Sequence, residues 1–168
     1  MRVDSYRFLP RSFRPMFEGA RPLDGETDPV WSPFEPRLSE ATVMLVTSAG
    51  LYRRAEQPPF DGDRERREPM WGDPSWRLIP RATDQGELAM MHLHVNPDDV
   101  LADHEVALPL RALDRLVADG IVGASAPTHV SVMGYQAAGL RAWRERTAPA
   151  VVEVARGDGI DGVVLAPV

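Results

Sequence analysis

Residues 41–47 read Ala-Thr-Val-Met-Leu-Val-Thr and run into Ser48-Ala49-Gly50. Val43, Met44, Leu45 and Val46 are consecutive and apolar, so neither face of this segment suits water. A short run of this kind, rich in β-branched residues, predicts a strand covered on both faces. Such strands belong to parallel sheets, whose long crossovers place helices above and below. The rest of the chain must therefore supply helices, and two stretches do. Pro109 opens one, with Leu110, Leu113, Leu116 and Val117 on a single face and Gly120 where the C′ glycine of a helix belongs. Residues 136–156 carry the second pattern, with Leu140, Trp143, Val151 and Val154 facing inward. Pro149 either kinks that helix or starts a new one at its first position.

Further strands are expected at Trp76–Pro80 and at residues 88–95, the latter bounded by Gly86 and Asn96-Pro97. Short β-like pieces at 121–125 and 129–133 flank Pro127. Val163-Val164-Leu165 reads as another buried strand. Strands alternating with helices predict an α/β domain over residues 41–168, three-layered around a mostly parallel sheet.

Residues 1–40 differ. Six of the sixteen prolines lie at Pro10, Pro15, Pro22, Pro29, Pro33 and Pro36, which leaves no room for a long helix or a central strand. Tyr6, Phe8, Phe13, Phe17, Trp31 and Phe34 are interspersed. We read an extended, proline-rich arm that docks apolar anchors on the domain or on a partner subunit. Residues 53–75 are charged and rich in turn formers, and predict a long ordered loop of the kind that often serves function.

The formal net charge of -6 argues against a nucleic-acid partner, because phosphates would be repelled. No apolar run approaches the roughly 20 residues that span a bilayer. Charges at Arg2, Asp4 and Arg7 interrupt any signal-peptide core, so a cytoplasmic location is expected, with no membrane partner. The 168 residues contain no cysteine, which removes disulfides, thiolate metal sites and thiol nucleophiles within them.

Ligands of open α/β sheets bind outside the carboxyl ends of the strands. Three segments fall at such ends. Thr47-Ser48-Ala49-Gly50 is either a plain turn or a set of small residues that let a ligand approach the backbone. His92-Leu93-His94 puts two imidazoles on one face if it is a strand. That pair suits a substrate carboxylate, acid–base work near neutral pH, a divalent metal such as zinc, or a purely structural role. Ala126-Pro127-Thr128-His129 leads to Ser131, Met133 and Gly134 beside a proline turn. The candidate catalytic residues are His92, His94 and His129, and the candidate substrate contacts are Thr47, Ser48, Gly50, Thr128, Met133 and Gly134. Phosphate-cradling glycine motifs and a nucleophile elbow are absent.

Taken in order, several stretches resemble one family. They are Val43-Met44-Leu45-Val46-Thr47-Ser48-Ala49-Gly50-Leu51-Tyr52, Pro58-Pro59-Phe60-Asp61, Gly72-Asp73-Pro74-Ser75-Trp76-Arg77-Leu78-Ile79-Pro80, His92-Leu93-His94 and Leu108-Pro109-Leu110-Arg111-Ala112-Leu113. Asp119-Gly120-Ile121-Val122-Gly123, Ala126-Pro127-Thr128-His129, Met133-Gly134 and the run from Asp158 to Val168 follow. Together they resemble the amino-terminal part of selenoprotein B, the selenocysteine subunit of glycine, sarcosine, betaine and D-proline reductases. The resemblance covers residue 41 to the last residue. It departs at Arg111-Ala112-Leu113, where the family has Asp-Arg-Leu, and at Asp103-His104-Glu105, where it has Asp-Ile-Asn. Those departures leave the substrate open.

In that family the last of these strands is followed at once by selenocysteine or cysteine. The resemblance therefore implies that Val168 directly precedes such a residue, selenocysteine if the next codon is UGA. It also implies that these 168 residues alone are redox-inactive, with no other cofactor in the chain. The implied activity is reductive C–N cleavage, with a pyruvoyl-type partner subunit activating the amino substrate and His92, His94 and His129 placing or protonating it. Two other readings remain open: a cysteine-free protein that binds a ligand or subunit without catalysis, and a metal-dependent hydrolase or lyase using the three histidines. If no helix covers the last strand, apolar surface around Val163 and Leu165 is exposed or buried in a neighbour, so a homo-oligomer is expected.

Overall fold

The computed structural model describes residues 32–136 and 140–168, together with Arg11. Of the proline-rich arm expected over residues 1–40, residues 32–40 and Arg11 are described, and Tyr6, Phe8, Phe13, Phe17 and Trp31 lie outside the described residues. Residues 34–168 form one compact unit.

The apolar run becomes β1 (Thr42–Thr47), the centre of a five-stranded sheet. On one side it pairs in parallel with β5 (Ala124–Ser125) and then β6 (Thr128–Val132). On the other it pairs in parallel with β7 (Gly162–Ala166), from Val43 opposite Gly162 to Thr47 opposite Ala166. β3 (Trp76–Pro80) joins the outer edge of β6 antiparallel. The sheet is mostly parallel, as expected.

Alternate residues of β1 serve opposite layers. Val43 and Leu45 point to one side, where they join Ile79, Leu108, Leu110, Leu113 and Val122. The helix there, Leu110–Ala118, starts directly after Pro109. Met44 points to the other side, where Val130 and Val132 meet Trp143, Val151 and Val154. Those three come from a helical stretch built from Leu140–Ala142, a π-helical turn at Trp143–Thr147, and Ala148–Gly157. The result is three layers. Each fully buried aliphatic side chain contributes about 2 kcal/mol of transfer free energy, and four consecutive residues of β1 supply both faces from one strand.

Four expectations are corrected. The strand expected at 88–95 stops early: β4 is Leu88–Met90, and it pairs antiparallel with β2 (Leu51–Arg53) as a separate two-stranded ribbon. The ladder ends because its partner turns away at Gly50, whose φ is +67°. The β piece expected at 121–125 shrinks to Ala124–Ser125, since Gly123 packs against the backbone of Glu40 and Ala41. The long loop contains a short helix, Gly62–Arg67, capped by the Asp61 side chain, which accepts from Arg64 N–H at 2.9 Å. Finally, Val163-Val164-Leu165 is a strand but not a buried one. These residues are 48%, 50% and 70% exposed, because among the described residues β7 has only β1 as a strand neighbour and no helix covers it.

Candidate functional site

The carboxyl ends of β1, β6 and β7 converge. At the end of β1, Thr47 is fully buried and its hydroxyl accepts from Ala49 N–H at 3.3 Å. Ser48 N–H donates to the Ala166 carbonyl at 3.3 Å, and its Oγ accepts from Val168 N–H at 2.9 Å. Ser48 thus holds the chain leaving β7. Gly134 N–H donates to the Ser48 carbonyl at 3.0 Å, and a β-carbon on Gly134 would stand 3.0 Å from the Ser48 side chain. A larger residue there would push on the serine that holds Val168.

Gly50 closes the same corner. Its N–H donates to the Val132 carbonyl at 2.9 Å and its carbonyl accepts from Met91 N–H at 3.0 Å. The left-handed φ and the closeness of Met91 both require glycine. Ala49 bridges Met133, and both are fully buried. Thr47, Ser48, Gly50, Met133 and Gly134 are therefore brought together. Thr128 is not. It pairs with Pro80 at the start of β6, about four residues, or roughly 13 Å, from the carboxyl end.

The histidines divide likewise. His92 and His94 follow β4 in a turn rather than on a strand face, with rings 6.1 Å apart and nearly perpendicular. His94 N–H donates to His92 Nδ1 at 3.2 Å, which leaves the His92 proton on Nε2, a buried atom without a hydrogen-bond partner. Burial, and secondarily the charge of His94, lowers the His92 pKa below its ordinary value. The exposed His94 ring stacks on Tyr135, 4.1 Å between centroids. Tyr135 follows Gly134 directly, so this pair joins the turn after β4 to the end of β6.

His129 lies elsewhere, fully buried inside the sheet. Its Nδ1 accepts from Leu45 N–H at 3.0 Å, and its Nε2 lies 3.3 Å from Ser125 Oγ. Burial lowers its pKa to about 4. The three histidines are not assembled on one centre. Among the described residues no group of three or more His, Asp or Glu is arranged to hold a metal ion.

Four residues of this corner are not among the site candidates read from the sequence. Glu65 is 3% exposed, and one carboxylate oxygen has no partner. Burial raises its pKa, opposed by the Asp73 N–H and by the charge of His94. Asp73 organises the loop, accepting from Asp61 N–H and from Ser75 N–H, each at 2.8 Å. Gln136 Nε2 donates to the Asp73 carbonyl at 2.8 Å and to the Met133 carbonyl at 3.1 Å, tying the loop to β6. Tyr135 OH donates to the Pro69 carbonyl. Asp73-Pro74-Ser75 is a legible turn signature, but nothing in the sequence announces that Glu65 is buried. Beside this corner runs a groove of about 430 Å³, lined by Pro59, Phe60, Asp61, Arg66 and Met91.

An α/β domain with small residues, two imidazoles, a tyrosine and a buried carboxyl gathered at its strand ends is the class that fold and site define. The chain is similar to D-proline reductase subunit gamma of Acetoanaerobium sticklandii, at 28% identity over 137 residues, 82% of this chain and 52% of that protein. This is a distant relationship to a reductase subunit, and the chain spans about half the length of the relative it matches. No family model matches the chain. No solved structure matches it. Among the described residues no helix is long and apolar enough to cross a membrane.

Proposed function

We propose that this chain is the amino-terminal part of a selenoprotein B-like reductase subunit that takes part in reductive C–N cleavage of an amino acid or amine derivative. In this reading the residue after Val168 is selenocysteine or cysteine. It would enter the crevice at the strand ends, where such ligand sites form. A selenolate or low-pKa thiolate there is a nucleophile at neutral pH. Cleaving a C–N bond to C–H and N–H consumes two electrons and two protons. The electrons come from the selenol and ultimately from an external dithiol, and His92 and His94 are candidate proton donors. A carbonyl-bearing partner subunit of the pyruvoyl type would activate the amino group. The relative is itself named as a subunit.

The observation that carries this reading is the Ser48 hydroxyl bonded to Val168 N–H at the shared carboxyl edge of β1 and β7. It fixes the direction in which the chain leaves β7, toward the strand ends. The codon after 168 is the direct test: an in-frame UGA or cysteine codon followed by a Cys-His-rich stretch is expected, and TAA or TAG overturns it. Dithiol-dependent turnover of the 168 residues alone overturns it as well.

A second reading, subunit binding without catalysis, is favoured by the bare apolar strand β7. A genuine stop codon together with a stable complex would decide for it.

A further inference from the structure

We propose that the groove between the π-helical turn at Trp143–Thr147 and the loop at Trp71 is a binding site for a small oxyanion, a carboxylate or phosphate group carried by a small molecule. The inference does not depend on the reductase reading.

The groove measures about 600 Å³. Its walls carry three guanidinium groups, Arg64, Arg141 and Arg146, against one carboxylate, Glu145. In a chain of net charge -6 this is a local reversal of sign. Arg64 lies over the Trp71 ring with its central carbon 4.2 Å from the centroid. Its bonds to Glu68 use only Nε, at 3.1 Å to each oxygen. The Trp71 face thus holds the guanidinium plane while the terminal nitrogens keep their donors. Arg141 Nε donates to Glu145 Oε1 at 2.8 Å. Among the described residues Arg146 has no hydrogen-bond or ion-pair partner.

The pairing of Arg141 with Arg146 on one wall has a cause in the sequence. Pro149 has no N–H for the Glu145 carbonyl four residues earlier, and its ring would collide with that carbonyl in an α-helix. The turn widens instead, and Ala148 N–H reaches the Trp143 carbonyl five residues back. Residues five apart point to different sides of an α-helix. The wider turn brings Arg141 and Arg146 together on the groove wall. Thr147 Oγ1 then donates to the Pro74 carbonyl, fixing the turn to the opposite wall. Single π-helical turns of this kind are frequent at functional sites, and paired guanidiniums are the side-chain chemistry that carboxylates and phosphates fit.

Isothermal titration of the full 168-residue chain with inorganic phosphate and, separately, with acetate tests this, the ionic strength being held constant with chloride. Saturable binding of at least one is expected, and the stronger of the two names the class of ligand. Arg141→Ala with Arg146→Ala should weaken it about tenfold or more. Pro149→Ala should weaken it severalfold without changing any charge. Glu145→Gln frees Arg141 and should tighten binding about threefold, a gain that misfolding cannot produce. No saturable heat with either anion, or equal affinity in the double variant and the parent, overturns the site. Unchanged affinity in Pro149→Ala overturns the part given to the π-helical turn.

Discussion

The Leu45 N–H donates to Nδ1 of His129 at 3.0 Å, so an imidazole nitrogen stands where a neighbouring strand would normally offer a carbonyl. The need arises from Ala126-Pro127. Val43 stands opposite Ser125 and Val46 opposite Val130, so five steps on one strand answer three on β1. That bulge would leave the Leu45 N–H bare in the core. His129 fills the gap, and with Nδ1 as acceptor its proton sits on Nε2, facing Ser125 Oγ. The ring must be neutral to do this.

Stability should therefore fall with pH in a defined window. The His129 pKa is lowered from 6.5 to about 4, by burial first. Asp114 pulls it up and Arg81 pushes it down, so these neighbours oppose each other. Because the unfolded chain binds the proton more readily, the contribution is fully present above about pH 6.5 and is lost as pH falls toward 4. It amounts to roughly 3 kcal/mol at most. His129→Phe should flatten that slope and cost about 1–3 kcal/mol at neutral pH for the orphaned Leu45 donor. Urea unfolding of both proteins between pH 4 and 7, as rough bounds set by these pKa values, is the measurement. Parallel curves would remove His129 from this role.

Gly50→Ala attacks the opposite end of β1. A β-carbon there would come within 2.2 Å of the Met91 carbonyl oxygen, on a residue with φ of +67°. Left-handed strain alone is about 1–2 kcal/mol, and the clash adds to it. A loss of at least about 2 kcal/mol is expected, with the amide resonances of Met91 and His92 shifted most. A loss below about 0.5 kcal/mol would be the size of an ordinary surface change and would refute the fit.

The His92 imidazole should titrate below the ordinary histidine range, chiefly because it is buried and secondarily because His94 is near. The order of causes gives a second expectation. His94→Gln removes the smaller contribution, so the His92 pKa should rise only slightly and remain depressed. Ring-proton chemical shifts against pH follow both. A return of His92 to its ordinary value in the variant would assign the shift to His94 instead.

How much was legible follows from which residues carry a pattern. Val43 to Val46 fixed a two-faced central strand because hydrophobic burial leaves a run that anyone can count. Pro109 with Leu110 and Leu113 did the same for one helix, although Leu116, read onto the same face, is 39% exposed. His92 and His94 were placed on a strand because alternation of type cannot show where a pairing partner leaves, and the partner leaves at Gly50. Val163 to Leu165 looked buried because composition does not report whether a neighbouring layer exists. Thr47, Ser48, Gly50, Met133 and Gly134 share one corner, since strand ends follow from strand boundaries, whereas Thr128, read with them, lies at the opposite end of β6. Glu65, Tyr135 and Gln136 carry no pattern, because their importance comes from contacts made only in the fold, with Asp73, with Pro69 and His94, and with Asp73 and Met133.

The bare strand β7 yields the last prediction. Val163 and Val164 point to opposite faces of the sheet, and both are about half exposed, as Leu165 is still more. No charged side chain interrupts the strand from Gly162 to Ala166, and charges are the usual means by which edge strands avoid pairing with other chains. Burying one such aliphatic side chain contributes about 1.5–3 kcal/mol, so three in a row favour association of this chain with itself. Sedimentation velocity over a concentration series should show a dimer or larger species in the micromolar range. Val164→Lys, which puts a charge on one face without removing a backbone donor, should shift the population toward monomer by about tenfold or more, with thermal stability unchanged within about 1 kcal/mol. A parent chain that stays monomeric throughout the series, or a variant that associates as strongly as the parent, would show that β7 is not the associating surface.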